Sequence, residues 1–210
     1  VFFRMNTKAY EHCLIGEDRF DFPAGTENLY RSLAEKFPHE KKGLKKYLKL
    51  VEQVSEQLYL IPKMKGFWDH VTIPFRTRYL GKYGLFSLKR VIDWHIKDPL
   101  LKGILNIQCG DHGLPPGQVA FPVHCAVMSH YFEGACYPMG GGAGIVKAMT
   151  NAFKRHGGEI KTGKKTKKIL IENKRAFGVE WETGEQYFAK NVVSNADPTV
   201  TYLQLAGKEN

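Results

Sequence analysis

Apolar residues change their repeat partway along this chain, and that change limits the folds open to it. Up to about position 135 they recur at helical spacing; beyond Gly158 they gather in short runs of strand character. The two regimes meet at Tyr137-Pro138-Met139-Gly140-Gly141-Gly142-Ala143-Gly144-Ile145. A glycine-rich helix start lets another backbone or a ligand approach closely, and its free N–H groups favour an anion.

In the first part, Thr26 is placed to N-cap a helix carrying Leu29, Leu33 and Phe37, and Pro38 fits the first turn of a second. Leu44, Tyr47, Leu48, Val51, Val54 and Leu58 form one apolar stripe with lysines opposite, so the pair predicts a helical hairpin. Pro62 to Tyr83 is aromatic and basic, without a clean period. Ser87 can cap a helix carrying Leu88, Val91, Ile92 and His95, and Asp98-Pro99 is a strong start for another. After the break at Gly113–Gly117, a helix over Val119–Tyr131 is expected to bend at Pro122.

The second part opens with an amphipathic helix marked by Ile145, Ala148, Met149, Ala152 and Phe153, which Gly157-Gly158 should end. Strands are expected at Glu159–Thr162, Thr166–Glu172, Ala176–Glu182, Gln186–Ala189 and Val192–Ser194. Turns at Asn173-Lys174 and Thr183-Gly184 give three of them the spacing of a β-meander. The fold class is therefore α/β, or α+β within this stretch: a mainly helical part followed by a helix and a meander.

With 210 residues the chain suits one large domain or two small ones. Its net charge of +10 is spread over both parts. Lys41-Lys42, Lys45-Lys46 and Lys164–Lys168 read plainly as solvated faces, and more sharply as attraction to anionic lipid headgroups or nucleic acid. No apolar run approaches the ~18–20 residues of a membrane span, and no signal peptide opens the chain. A cytoplasmic or peripherally membrane-associated location is expected. Val1 in place of Met reads as a start inside a longer protein.

Cys13, Cys109, Cys125 and Cys136 include no C-x-x-C pair, which suits a reducing compartment. Cys109-x-x-His112, His124-Cys125, His130 and Cys136 are zinc-type ligands, but their spacing matches no compact zinc module. Burial among helices is the expectation, with no metal. Ser129 and Ser87 lack a G-x-S-x-G setting, so no nucleophilic triad is indicated, and catalytic residues stay unassigned.

The glycine run is not a dinucleotide fingerprint. Counting G-x-G-x-x-G from Gly140 puts Ile145 at the last position; counting from Gly142 puts Lys147 there. A Walker A loop is absent too, because no Gly-Lys-Ser/Thr follows.

A resemblance carries the reading further. Phe20-Asp21-Phe22-Pro23-Ala24-Gly25 and the stretch Ala126–Gly141 are similar to the FAD-dependent phytoene desaturase, carotenoid isomerase and retinol saturase family. The similarity continues through His156–Ile160, Arg175–Val179 and Val192-Val193-Ser194-Asn195-Ala196-Asp197-Pro198. Tyr137-Pro138-Met139-Gly140-Gly141 and Val192–Ala196 are its most specific elements.

The resemblance implies a flavoenzyme in two parts: 1–135 a helical substrate domain, and 136–210 the middle of a Rossmann-like FAD/NAD(P)-binding domain. The main FAD-binding motifs are not in this sequence, which reads as an internal portion, and NAD(P) is a further cofactor such a domain could take. The resemblance puts Gly140, Gly141, Thr166, Ser194 and Asn195 near the cofactor, and Tyr137 and Met139 at the substrate end of the cavity. Thr166 stands where the family usually has valine, and Met139 where a basic residue is common. The implied chemistry is desaturation, saturation or isomerisation of an apolar polyene, drawn from a membrane surface, with no nucleic-acid partner. Two other readings stand beside it: an amine-oxidase-like flavoenzyme, and a non-catalytic basic module binding nucleic acid or a lipid surface.

Overall fold

A computed structural model describes residues 2–207. The chain divides into two compact units, one running to Ile145 and one starting at Val146. The architecture is mixed: helices with small antiparallel sheets.

The first unit begins with strand β1 (Phe2–Arg4) and a hairpin of β2 (Glu11–Ile15) and β3 (Asp18–Phe22), with Cys13 opposite Phe20. Cys13, Phe20 and Phe22 turn inward and are buried. Helix α1 (Thr26–Lys36) starts from Gly25, not from a Thr26 cap; no side chain caps it. The Gly25 N–H is instead taken by the Phe132 carbonyl at 2.6 Å.

A 3₁₀ turn at Pro38–Glu40 leads into α2 (Lys41–Leu60), as proline in a first turn allows. The predicted stripe on α2 is real: Leu44, Tyr47, Leu48, Val51 and Val54 are all buried. Short helices follow: α3 (Phe67–Arg76), α4 (Arg78–Tyr83), α5 (Leu88–His95) and α6 (Pro99–Leu105). Then come α7 (Cys109–His112) and α8 (Phe121–Tyr131). α2 is the spine, touching α1, α4, α5 and α8. Gly43 permits the approach of α5: a Cβ there would stand 2.0 Å from the His95 carbonyl oxygen.

Local caps set several boundaries. Ser87 Oγ accepts from the Arg90 N–H, and Asp98 Oδ1 accepts from Leu100 and Leu101 at 2.9 and 3.0 Å. The N–H groups at the Leu101 end hold the Asp98 carboxyl below its ordinary range, with His39 helping. Pro122 lies in the first turn of α8, where its missing N–H breaks no helical bond, so the expected interior bend does not arise. His124 is wholly buried on α8, and burial together with His112 pushes its pKa down to about 4.

The second unit takes up the helix α9 (Gly141–Arg155) from Val146 onward. Gly157 and Gly158 stop it, their N–H groups bonding to Lys154 and Phe153 carbonyls at 3.0 Å. The meander forms as β5 (Thr166–Glu172), β6 (Arg175–Trp181) and β7 (Gln186–Phe188), antiparallel in that order. Asn173 and Lys174 both take positive φ, as a two-residue hairpin turn requires. Residues 159–162 and 192–194 do not form strands. A strand exists by pairing, and neither run finds a partner among the described residues.

Candidate functional site

The residues singled out by motif fall into two groups, one in each unit. The first is the turn between β4 (Cys136–Pro138) and α9. β4 pairs antiparallel with β1, placing Phe3 opposite Tyr137, their rings 6.2 Å apart edge to face. The Arg4 guanidinium donates to the Glu133 carbonyl, and the Met5 N–H to that of Ala135, so β1 pins the approach to the turn.

The chain then reverses through Gly140 and Gly141, at φ +81 and +63, a region where a side chain is strained. Gly144 answers a different need: a Cβ there would lie 2.4 Å from the Met139 carbonyl oxygen. Tyr137 and Met139 are both exposed on this turn. Backbone and two mainly apolar side chains are what the turn presents.

The second group lies over the meander. Thr166 opens β5 at one edge of the sheet. Residues 190–195 make no backbone-to-backbone hydrogen bond among the described residues. Thr166, Ser194 and Asn195 converge on one cleft of 580 Å³, floored by Ile169 and Val179 and closed by the C-terminal turn at Val200, Gln204 and Leu205. A neighbouring cleft of 430 Å³ continues past Ser194 to Ile171, Ala176 and Tyr202. Ser194 Oγ and Thr201 Oγ1 are 2.8 Å apart, and Asp197 caps Thr199 at 2.7 Å.

The cations beside the first cleft are paired. Lys165 meets Glu182 at 2.6 Å, and Lys167 and Lys168 flank Glu180 at 3.1 and 3.4 Å. The Gln186 amide, then the two lysines, pull the Glu180 carboxyl down to about 2. The lysine run is thus an ion-paired sheet surface.

No protein-family model matches the chain. Individual relatives do. The all-trans-retinol 13,14-reductase of Rattus norvegicus is 27% identical over 206 residues, covering 90% of this chain and 33% of that protein. The chloroplastic prolycopene isomerase of Daucus carota is 27% identical over 190 residues, 84% of this chain and 30% of its own length.

The chain is similar to both enzymes over most of its own length.

It spans about a third of the length of these relatives. An oxidoreductase from Methanosarcina mazei shares its structure with a TM-score of 0.51 and 25% identity, over 69% of this chain and 35% of that one. Among the described residues, no helix is long and apolar enough to cross a membrane.

Sequence reasoning did not find the C-terminal wall of the cleft. Val200, Gln204 and Leu205 belong to a short helix α10 (Pro198–Val200) and the π-helical turn Thr201–Leu205 that follows it. The Asp197-Pro198 pair, a helix start like Asp98-Pro99, was the available signal.

Proposed function

We propose that this chain is part of a flavin-dependent oxidoreductase or isomerase acting on an apolar polyene. The similarity to these enzymes supports the reading, and one observation carries it for these residues. Thr166 and the distant pair Ser194-Asn195 gather on one cleft, beside a segment with no backbone-to-backbone hydrogen bond among the described residues.

The residues present suit part of a flavin site. Gly140 and Gly141 put bare backbone at a tight turn, and the cleft beside β5 offers a hydroxyl, an amide and free peptide groups. In the proposed enzyme, FAD supplies the electron chemistry when bound. Thr166 contributes its backbone, so its departure from valine changes no contact. Ser194 and Asn195 contribute hydrogen bonds where the chain passes between the substrate and cofactor domains. Tyr137 and Met139 present an apolar end to the polyene, and with Met139 replacing a basic residue that end binds by packing and excludes water. NAD(P) is the further cofactor such a domain accepts.

The domain assignment is part of the proposal: residues 1–135 hold substrate and 136–210 hold cofactor. So is a lipid surface as the source of substrate. Phe67, Val71 and Phe75 line one side of α3 in the open, with Trp68 beside them and Lys63, Lys65 and Arg78 nearby.

The test uses the protein extended to the length of its relatives. It should purify with flavin absorbance and turn over a retinoid or carotenoid. Asn195→Ala should lower flavin retention, and Thr166→Val should leave it unchanged. A full-length protein that binds no flavin, or an Asn195→Ala variant with wild-type retention, would count against the assignment.

A further inference from the structure

One polar cluster in the first unit has no part in the proposed flavin site. Cys109 and His112 stand one turn apart on α7, and His124 rises from α8 beyond the Gly113–Gly117 break. One ligand-type atom from each lies within 4.8 Å of the other two.

The two rings meet edge to face at 80°, with His112 Nε2 and His124 Nδ1 3.5 Å apart. That is the outer limit for a hydrogen bond. It is close to the edge of a tetrahedral zinc site, about 3.4 Å for two nitrogens each bound at about 2.1 Å.

Their other nitrogens, His112 Nδ1 and His124 Nε2, are buried without partners. Tyr47 Oη is a further buried polar atom without a partner. With His112 Nε2 and His124 Nδ1 turned to an ion, these nitrogens become the outer N–H groups of the two ligands, positions that take a bound water. The Cys109 thiol makes a weak contact, 3.9 Å to Asn106 Oδ1.

We propose that Cys109, His112 and His124 form a metal site for a borderline-soft cation of the zinc class. One thiolate and two imidazoles are the donor set such ions select, and hard cations such as magnesium do not. Cys109 and His112 are half-buried and give a way in, while His124 forms the closed floor. Binding forms one metal–sulfur and two metal–nitrogen bonds, and the Cys109 thiol proton leaves to solvent. A fourth position is left for water or an incoming ligand. The ion would tie α7 to α8 across a glycine-bounded loop. This inference does not depend on the flavin reading.

The test is a titration of the metal-free 210-residue protein with Co²⁺ and then Zn²⁺. One Co²⁺ per chain should bind with a near-ultraviolet thiolate charge-transfer band, and Zn²⁺ should displace it. Cys109→Ser should abolish the band and weaken Zn²⁺ more than about tenfold, and His112→Gln should weaken both ions similarly. Cys136→Ser, an exposed cysteine outside the cluster, should change neither. Far-ultraviolet circular dichroism checks that each variant is folded, and the two ligand variants serve as independent tests. Absence of the band in the wild type, its survival in Cys109→Ser, or its loss in folded Cys136→Ser overturns the site.

Discussion

Glu40 shows what a single buried side chain can set. Its Oε1 accepts the Lys97 and Asp98 N–H groups at 2.6 and 2.7 Å, joining the start of α2 to the start of α6. Removing it leaves two backbone donors without a partner, so Glu40→Ala should lower unfolding free energy by about 3 kcal/mol in urea titrations. Glu40→Gln, which keeps an acceptor, should cost less. Gly144 and Gly142 make a sharper pair. A Cβ at Gly144 would collide with the Met139 carbonyl, whereas one at Gly142 meets open space within the same helix. Gly144→Ala should destabilise by about 1–3 kcal/mol, as overpacking does. Gly142→Ala should stabilise by up to about 1 kcal/mol, the helix preference for alanine. Equal effects in the same denaturation assay would show that the turn yields. The local caps at Ser87 and Asp98 were legible because residue and target are neighbours. Glu40 was not, because its targets lie 57 and 58 residues away in sequence.

Helices whose starts and faces are written locally, such as α2, α5 and α6, fell where their spacing put them. α3 and α4 did not. The N–H groups of Tyr79 and Leu80 at the start of α4 bond to Gln57 Oε1 on α2, at 3.0 and 2.9 Å, a cap that no local pattern announces. β2 had no sequence signal of its own, because it is short and turns only Cys13 fully inward. The runs at 159–162 and 192–194 have strand composition and no partner, so pattern alone promised too much there. The meander itself has a titratable element. Glu180 titrates near 2 in the folded protein against an ordinary 4.5. Between those values the folded state binds fewer protons than the unfolded one. The stabilisation is therefore fully present above about pH 4.5 and is lost as pH falls through about 2. Wild type should be more stable than Glu180→Gln near neutrality, and the gap should close across that window when unfolding of the sheet is followed by circular dichroism. A gap independent of pH would mean that Glu180 acts by packing alone. α3 has a separate test: Phe75→Ser should weaken co-sedimentation with anionic vesicles if its open apolar side meets lipid, and unchanged binding would remove α3 from that role.

The candidate residues fall in two groups, one in each unit, and that governs what this chain can do alone. The turn at Gly140-Gly141 is held by β1 and β4 in one unit, and the cleft of Thr166, Ser194 and Asn195 is built on β5 in the other. The residues of both groups were legible from motif order. The gathering of Thr166, Ser194 and Asn195 on one cleft was not, because it depends on how 192–196 folds back over the sheet. Neither group includes a complete G-x-G-x-x-G, the element that holds a pyrophosphate against a helix start. The lysines nearest the cleft are engaged by Glu180 and Glu182, and the peptide groups of 190–195 make no backbone-to-backbone hydrogen bond among the described residues. Cofactor binding would have to order that segment as well as hold the ligand, and the ordering cost offsets the few contacts available. The 210-residue chain should therefore purify without stoichiometric flavin and show no flavin absorbance after incubation with FAD and gel filtration. The same gene product at the length of its relatives should retain it. A chain of this length that stays yellow through gel filtration would mean that the two groups suffice, and would move the principal flavin contacts onto Gly140, Gly141, Thr166, Ser194 and Asn195.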